Sequence, residues 1–325
     1  MNVLITSASR KVGLIKAFQY ALRKEGGGSV IAVDMNRRSA ALYCADHSYI
    51  VPSSTNAGFF DTISGICHKH EVKIIIPTRD EELPVFANER EHFEKAGIKV
   101  MVSNPETIST CQDKKRFIDF CIKKGFTVPK TFDLNEISPD TGFPLFMRER
   151  FGKGSKNAFC VTNFHEFEYL KTHMEDPVIQ QFIDAPEYTV DLFADFSGRI
   201  ISVVPRERLT IVGGESFIAI TRKKKDIIEE TIRLARALNI VGHATIQCFH
   251  HEGRVKFIEV NPRYGGGANL SFAAGACTPA FLIRLLSNKV VDPCIGDFKD
   301  NFMMLRYTRD IFVSDEEMNR IEDYP

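Results

Sequence analysis

Glu259 and Asn261 stand two apart near the end of an apolar run, Phe257-Ile258-Glu259-Val260-Asn261, which Pro262 closes. Proline has no amide hydrogen to offer a ladder, so the run predicts a strand that stops there. Side chains alternate along a strand, which sends Glu259 and Asn261 to one face. A second apolar run, Ala244 to Phe249, comes before it, and Gly253 supplies the turn between them. A hairpin centred on Gly253 sets Gln247 opposite Glu259, and facing cross-strand residues share a face. Three oxygen donors then converge, with Arg263 and the glycines Gly265, Gly266 and Gly267 just beyond. Carboxylate and amide oxygens suit a hard divalent cation, above all Mg²⁺ held jointly with substrate phosphates. A plain surface hairpin is the commoner reason for such a pair taken alone, so the remainder of the chain decides.

The elements that position these residues begin with alternating strands and helices. Asn2 to Thr6, Val30 to Val33, Tyr49 to Val51, Lys73 to Ile76 and Lys99 to Val102 are apolar strand candidates. Val12 to Lys24 has helical spacing at Val12, Ile15, Phe18 and Leu22. This alternation predicts a parallel sheet whose ligands bind beyond the carboxyl ends of its strands. The polar tips there are Thr6 to Arg10, Asp34, and Pro77 to Glu82. The first turn has no G-x-G, so a dinucleotide site is poorly provided for, and Asp34 suits a ribose, a helix cap or a turn alike.

Further along, Asp113-Lys114 opens a helix that Gly125 ends. Leu145-Phe146-Met147-Arg148 leads into Gly152-Lys153-Gly154-Ser155, a loop whose amides could fold over phosphate but which lacks Walker spacing. Val178-Ile179-Gln180-Gln181-Phe182-Ile183 is an apolar strand followed by Glu187-Tyr188-Thr189-Val190-Asp191. Glu187 and Asp191 are four apart on one strand face, so Asp191 reads as support rather than as a separate site. Arg206 and Arg208 share a strand face, whereas Arg222 to Lys225 opens an amphipathic helix and reads as solvated. His243, His250 and His251 have no zinc spacing and are assigned to no metal.

Gln247, the run E-V-N-P-R, the glycines after it and E-Y-T-V-D together resemble the ATP-grasp superfamily. They are most similar to the branch typified by the carbamoyl-phosphate synthetase large subunit, in which arginine also stands at the position of Arg148. The resemblance implies an α/β chain: a pre-ATP-grasp parallel α/β domain over 1–105, then a two-lobed α+β clamp. The clamp divides into a linker and small lobe over 106–184 and a large lobe over 185–325. It implies ATP and Mg²⁺ as cofactors, with Mn²⁺ an acceptable substitute, and Gln247, Glu259 and Asn261 as metal ligands. Lys114, Arg148, Gly154 and Ser155 would meet the phosphates. Gln181, Phe182 and Ile183 would pair with adenine, and Glu187 with the ribose. Arg263, Arg148 and Arg206 would serve the chemistry, while Thr78, Asp80, Glu81 and Gly265, Gly266 and Gly267 would shape the acceptor site. The implied activity is carboxylate–amine ligation through an acyl phosphate. An ATP-binding module without turnover and a phosphoryl-transferring relative are the alternatives. Glu149, where many relatives have proline, has no role in this reading.

The totals agree with a soluble globular protein of two or three lobes: 325 residues, 44% hydrophobic and 26% charged. Forty-two basic and forty-two acidic residues cancel, which argues against nucleic acid or membrane as partners, while the resemblance implies small-molecule carboxylate and amine substrates, with a homodimer left open. Eight scattered cysteines, no run long enough to span a bilayer and no signal-peptide pattern place the chain in the cytoplasm. The acidic stretch from Asp310 onward reads as a surface helix or frayed end without function.

Overall fold

Runs rich in valine and isoleucine are the natural strands of a sheet buried on both faces, and the first 100 residues form one. The structure, a computed structural model, describes residues 1–152 and 157–324. The first sheet contains β1 (Asn2–Ile5), β2 (Val30–Asp34), β3 (His47–Ile50), β4 (Val72–Ile76) and β5 (Lys99–Val100), all parallel. β1 pairs with β2 on one side and β4 on the other, so the winding direction reverses between β1 and β4. The helix Val12–Lys24 covers one face with Leu14, Ile15, Phe18, Ala21 and Leu22. Before β2 the chain passes so close to its own start that a Cβ on Gly28 would lie 1.7 Å from the Met1 carbonyl oxygen. Only glycine fits there, and its φ of +139° suits glycine alone.

The second sheet, β6 (Thr131–Phe132), β7 (Leu145–Glu149), β8 (Ala158–Val161) and β9 (Pro177–Gln181), is antiparallel in the order β6-β9-β7-β8. The third holds β10 (Glu187–Ala194), β11 (Ile200–Val212), β12 (Glu215–Thr221), β13 (Gly242–His251), β14 (Arg254–Asn261) and β15 (Met303–Leu305). Its order is β14-β13-β10-β11-β12-β15. One face of this large sheet is apolar: Val190, Leu192, Ile246, Cys248, Phe257 and Val260 pack with Phe117 of the helix Lys114–Lys123 and Ile227 and Leu234 of the helix Lys225–Ala237.

The buried clusters show which parts share a core. Val3, Ile5, Ile15 and Phe18 of the first lobe share a cluster with Tyr264, Leu282 and Ile283 of the large lobe. The small lobe keeps a separate cluster built on Leu145, Met147, Phe167 and Ile179. The chain end corrects the sequence expectation. After the short helix Asp315–Asn319 it forms β16 (Glu322–Asp323), which pairs parallel with β3 at Tyr49 and Ile50 and extends the first sheet. Arg37 bonds Asp323 at 2.9 Å, and the Tyr324 ring meets Tyr49 edge-on at 5.4 Å. Two acidic residues carry no strand signal of their own; the docking comes from residues nearly three hundred positions away.

Candidate functional site

The polar face of the large sheet is set by register. The β13–β14 hairpin turns at Glu252 and Gly253, both with positive φ (51° and 69°), so His251 pairs with Arg254. Continued unchanged, that register would oppose Gln247 to Ile258 and send Glu259 into the apolar core. A bulge intervenes: Cys248 pairs with Phe257 and Gln247 with Glu259, leaving Ile258 as the extra residue. Glu259 and Asn261 therefore share a face with Gln247, as the sequence reading expects. Pairing of β10 with β13 and β11 adds Glu187, Asp191, Arg206 and Arg208 to that face.

Arg148, from β7 of the small lobe, reaches across to this face and is 6% exposed. Its Nη2 donates to the Ile258 carbonyl at 3.0 Å and to Gln180 Oε1 at 3.2 Å, and its Nη1 lies 3.5 Å from Glu259 Oε2. The bulge thus also frees the carbonyl that seats the guanidinium. Burial lowers the pKa of Arg148, with Glu259 and Glu187 opposing, but a guanidinium stays charged throughout. Its Nε is buried without a partner among the described residues. Gln180 was missed by the sequence reading. Its signal was a glutamine inside an apolar strand, diagonal in register to Arg148.

Between the two lobes lies a groove of about 330 Å³, in the range of small-molecule sites. Lys114, Arg148, Gln247 and Glu259 line one part of it, and Gln181, Phe182, Ile183 and Glu187 another. Lys114 Nζ donates to the carbonyls of Arg150 (3.2 Å) and Gly152 (2.9 Å), and burial lowers its pKa. Asp113 caps that helix through the Lys115 amide and takes Arg150 at 2.8 and 2.6 Å. Glu187 accepts from Gln247 Nε2 at 2.9 Å and from Arg208, which also lines the groove. Glu149, without a role in the sequence reading, lines the groove and accepts from Asn157. Gly154 and Ser155 lie outside the described residues.

Asn261 and Arg263 carry the face beyond the groove. Asn261 donates to Glu259 at 3.1 Å and accepts from Arg263 at 3.3 Å, while Arg263 grips Asp80 of the first lobe at 3.0 and 2.6 Å. Thr78 and Arg206 are buried more deeply than residues that meet a substrate directly, whereas Glu81 stays exposed beside Asp80 on the loop after β4. Thr78 is 1% exposed, and its hydroxyl donates inward to the carbonyls of Thr6 and Ser7, joining β1 to β4. Glu81 does not line the groove and lies 3.5 Å from Arg79. Arg206 is 1% exposed and bonds Asp191 at 2.7 and 3.0 Å, with Ser271 on the same carboxylate. Burial alone would raise the Asp191 pKa; the charge of Arg206 and the bond to His243 hold it well below the usual range. Sequence shows residue types but not the helix Ala268–Ala273 that closes over this pair. The three glycines are packed: a Cβ would lie 2.6 Å from Thr245 Oγ1 at Gly265, 2.8 Å from Glu215 at Gly266 and 2.5 Å from Arg206 Nη1 at Gly267.

The donor set fits a divalent ion that shares its ligands with a nucleotide. Gln247 turns its amide nitrogen to Glu187, which leaves its carbonyl oxygen without a hydrogen bond among the described residues. One carboxylate and two amides are too few for a closed cage and suit Mg²⁺ completed by phosphate oxygens. In the groove lining Lys114, Arg148 and Arg208 balance Glu149, Glu187 and Glu259, so a divalent ion beside Glu259 would leave net positive charge for a polyphosphate.

Comparisons with known proteins agree. The family described as PylC-like, N-terminal domain, matches residues 3–101, and the family described as ATP-grasp in the biosynthetic pathway with Ter operon matches residues 173–307. The carbamoyl phosphate synthase large chain of Gemmatimonas aurantiaca is 24% identical over 318 residues, covering 87% of this chain and 28% of its own length. The chain thus spans well under half of the curated relatives it matches. Among solved structures, the L-amino acid ligase from Bacillus licheniformis superposes with a TM-score of 0.71 at 18% identity, over 92% of this chain and 77% of that one. The biotin carboxylase domain of Hydrogenobacter thermophilus 2-oxoglutarate carboxylase, solved with MgADP and bicarbonate, gives 0.70 at 15% identity over 93% and 73%. Residues 3–101 thus carry the PylC-like match and residues 173–307 the ATP-grasp match, and the chain shares the fold of these solved enzymes over about nine-tenths of its length.

Proposed function

We propose that this protein is an ATP- and Mg²⁺-dependent carboxylate–amine ligase that works through an acyl phosphate. The observation that carries the reading is the bulged hairpin, which gathers Gln247, Glu259 and Asn261 on one sheet face beside a groove bordered by Arg148 and Lys114. ADP and Mg²⁺ in the similar biotin carboxylase domain, and ligase activity in the similar amino acid ligase, support it.

The backbone of Gln181, Phe182 and Ile183 takes adenine, Glu187 takes the ribose and Lys114 takes the inner phosphates. Gln247, Glu259 and Asn261 would hold the ion, which when bound would supply positive charge against the terminal phosphates. A substrate carboxylate oxygen attacks the γ-phosphorus, the bond from phosphorus to the β–γ bridging oxygen breaks, and ADP leaves. An amine then attacks the acyl carbon, the acyl–oxygen bond breaks, inorganic phosphate leaves, and the nitrogen gives up a proton. Arg148 and Arg263 stabilise charge on the transferring group, an electrostatic task that needs no covalent protein nucleophile. Arg206 and Asp191 act from beneath, holding the glycine run whose amides face the acceptor.

The test is ADP release against a matrix of carboxylate and amine pairs, with Mg²⁺ or Mn²⁺ present. The expected result is release that requires both partners and the metal and disappears in Glu259→Ala and Asn261→Ala. Tight Mg–ADP binding with no release for any pair would favour a nucleotide-binding module instead.

A further inference from the structure

We propose that the acceptor substrate carries an anionic group, carboxylate or phosphate, which binds Lys11 and Arg79 where the first sheet reverses its winding. Calling this ligand the acceptor rests on the ligase reading; the anion site itself does not.

Open parallel sheets bind ligands at such a reversal, in the crevice past the strand ends. Here the crevice lies between the loop after β1, ending at Lys11, and the loop after β4, which contains Arg79. The neighbouring carboxylates are already engaged. Glu82 is buried and accepts from the Thr78 amide (2.6 Å), the Arg79 amide (3.1 Å) and Ser7 Oγ (2.8 Å). Asp34 accepts from the amides of Ser9 (2.8 Å) and Asn36 (2.9 Å), and Asp80 is held by Arg263. These bonds fix both loops in place.

The cations are not matched in the same way. Lys11 is half-buried, forms no ion pair among the described residues, and its Nζ reaches only the Ser7 carbonyl at 3.4 Å. Arg79 meets Glu81 at a loose 3.5 Å with both side chains 43% exposed. Burial, with the nearby charges of Arg263 and Arg79, pushes the Lys11 ammonium down to about 8 although Glu82 and Asp34 oppose the shift. Like charges gathered in a partly desolvated crevice are unfavourable until an anion joins them. Arg263 ties this crevice to the oxygen-donor face through Asp80, so an acceptor anchored here lies next to the proposed chemistry.

The experiment titrates the full chain, saturated with ADP and Mg²⁺ at constant ionic strength, with glutarate, inorganic phosphate and uncharged glutaramide. Binding is read by calorimetry in wild type, Lys11→Met, Lys11→Arg and Arg79→Gln. At least one anion should bind more tightly than glutaramide. Lys11→Met should weaken it about ten-fold, the scale of one charge-assisted hydrogen bond, and Lys11→Arg should recover most of the loss. Preference for glutarate identifies a carboxylate, and preference for phosphate a phosphorylated acceptor. ADP affinity should be equal in all four proteins. Anions that bind no better than glutaramide, or affinities unchanged in both Lys11→Met and Arg79→Gln, would overturn the inference. Arg79→Gln alters an exposed side chain and keeps the test readable should Lys11→Met fold poorly. Failure of wild type to bind ADP would count against the ligase reading alone, and the anion titration can then be repeated without nucleotide.

Discussion

Arg148 shows how narrow a margin a single side chain has in this site. Its guanidinium is held by one backbone carbonyl and one carboxylate from β14 and one amide oxygen from β9. Gln180→Leu removes a buried acceptor and should cost about 1–3 kcal/mol of stability. It should also lower kcat for ADP release with little change in KM for ATP, because Arg148 acts on charge that develops during transfer. Steady-state kinetics beside thermal melts separates the two effects. Glu259→Gln should reduce turnover by about 100-fold, in line with losing one electrostatic group at a reacting phosphate, while the melting temperature moves little. Equal activity at saturating Mg²⁺ would remove Glu259 from the proposed metal set. Asp191→Asn breaks a fully buried ion pair and should cost about 3–5 kcal/mol. Because Arg206 depresses the folded pKa of Asp191, its contribution is complete above the ordinary 3.8 and fades as pH falls through the folded value. The stability gap between wild type and Asp191→Asn should therefore narrow below that pH, as read by melts across an acid series. At this scale the sequence was legible wherever strand alternation decides orientation, as for Gln247, Glu259 and Asn261. It was not legible for Arg206 and Thr78, whose types suit a site but whose surroundings are supplied by distant segments.

The bulge at Ile258 is the element on which the site turns. Counting outward from Gly253 reaches the right partner for Gln247, yet the turn itself contains two residues and would leave Glu259 on the wrong side. The extra residue after Phe257 restores the match, and nothing in the local sequence marks it. Deleting Ile258 should remove the bulge and keep Glu259 opposite Gln247, while taking away the carbonyl that accepts from Arg148 Nη2. Mg-dependent ADP binding should persist with turnover lowered, measured by calorimetry with and without the metal beside an assay of ADP release. Helix and strand limits in the first lobe were easier to read, since Val12–Lys24 and β4 follow from apolar spacing alone. β16 was not, because a two-residue strand is made by its neighbours.

Across the whole molecule, the first and large lobes share buried residues whereas the small lobe has a core of its own. Nucleotide binding should therefore draw the small lobe onto a unit that does not flex internally. Hydrogen exchange should show Mg–ADP slowing β7 and β9 while leaving β1 and β4 as they were. Uniform slowing everywhere would argue against separate bodies.

The seam made by Tyr264, Leu282 and Ile283 against the helix Val12–Lys24 also bears on how such proteins can be recombined. A chimera that borrows only the first hundred residues from a relative inherits a surface shaped for a foreign helix. Thr278–Leu286 would have to travel with the graft. Evolution and the protein engineer meet the same restriction: the first and large lobes are one hereditary unit, and the small lobe is the piece free to be exchanged.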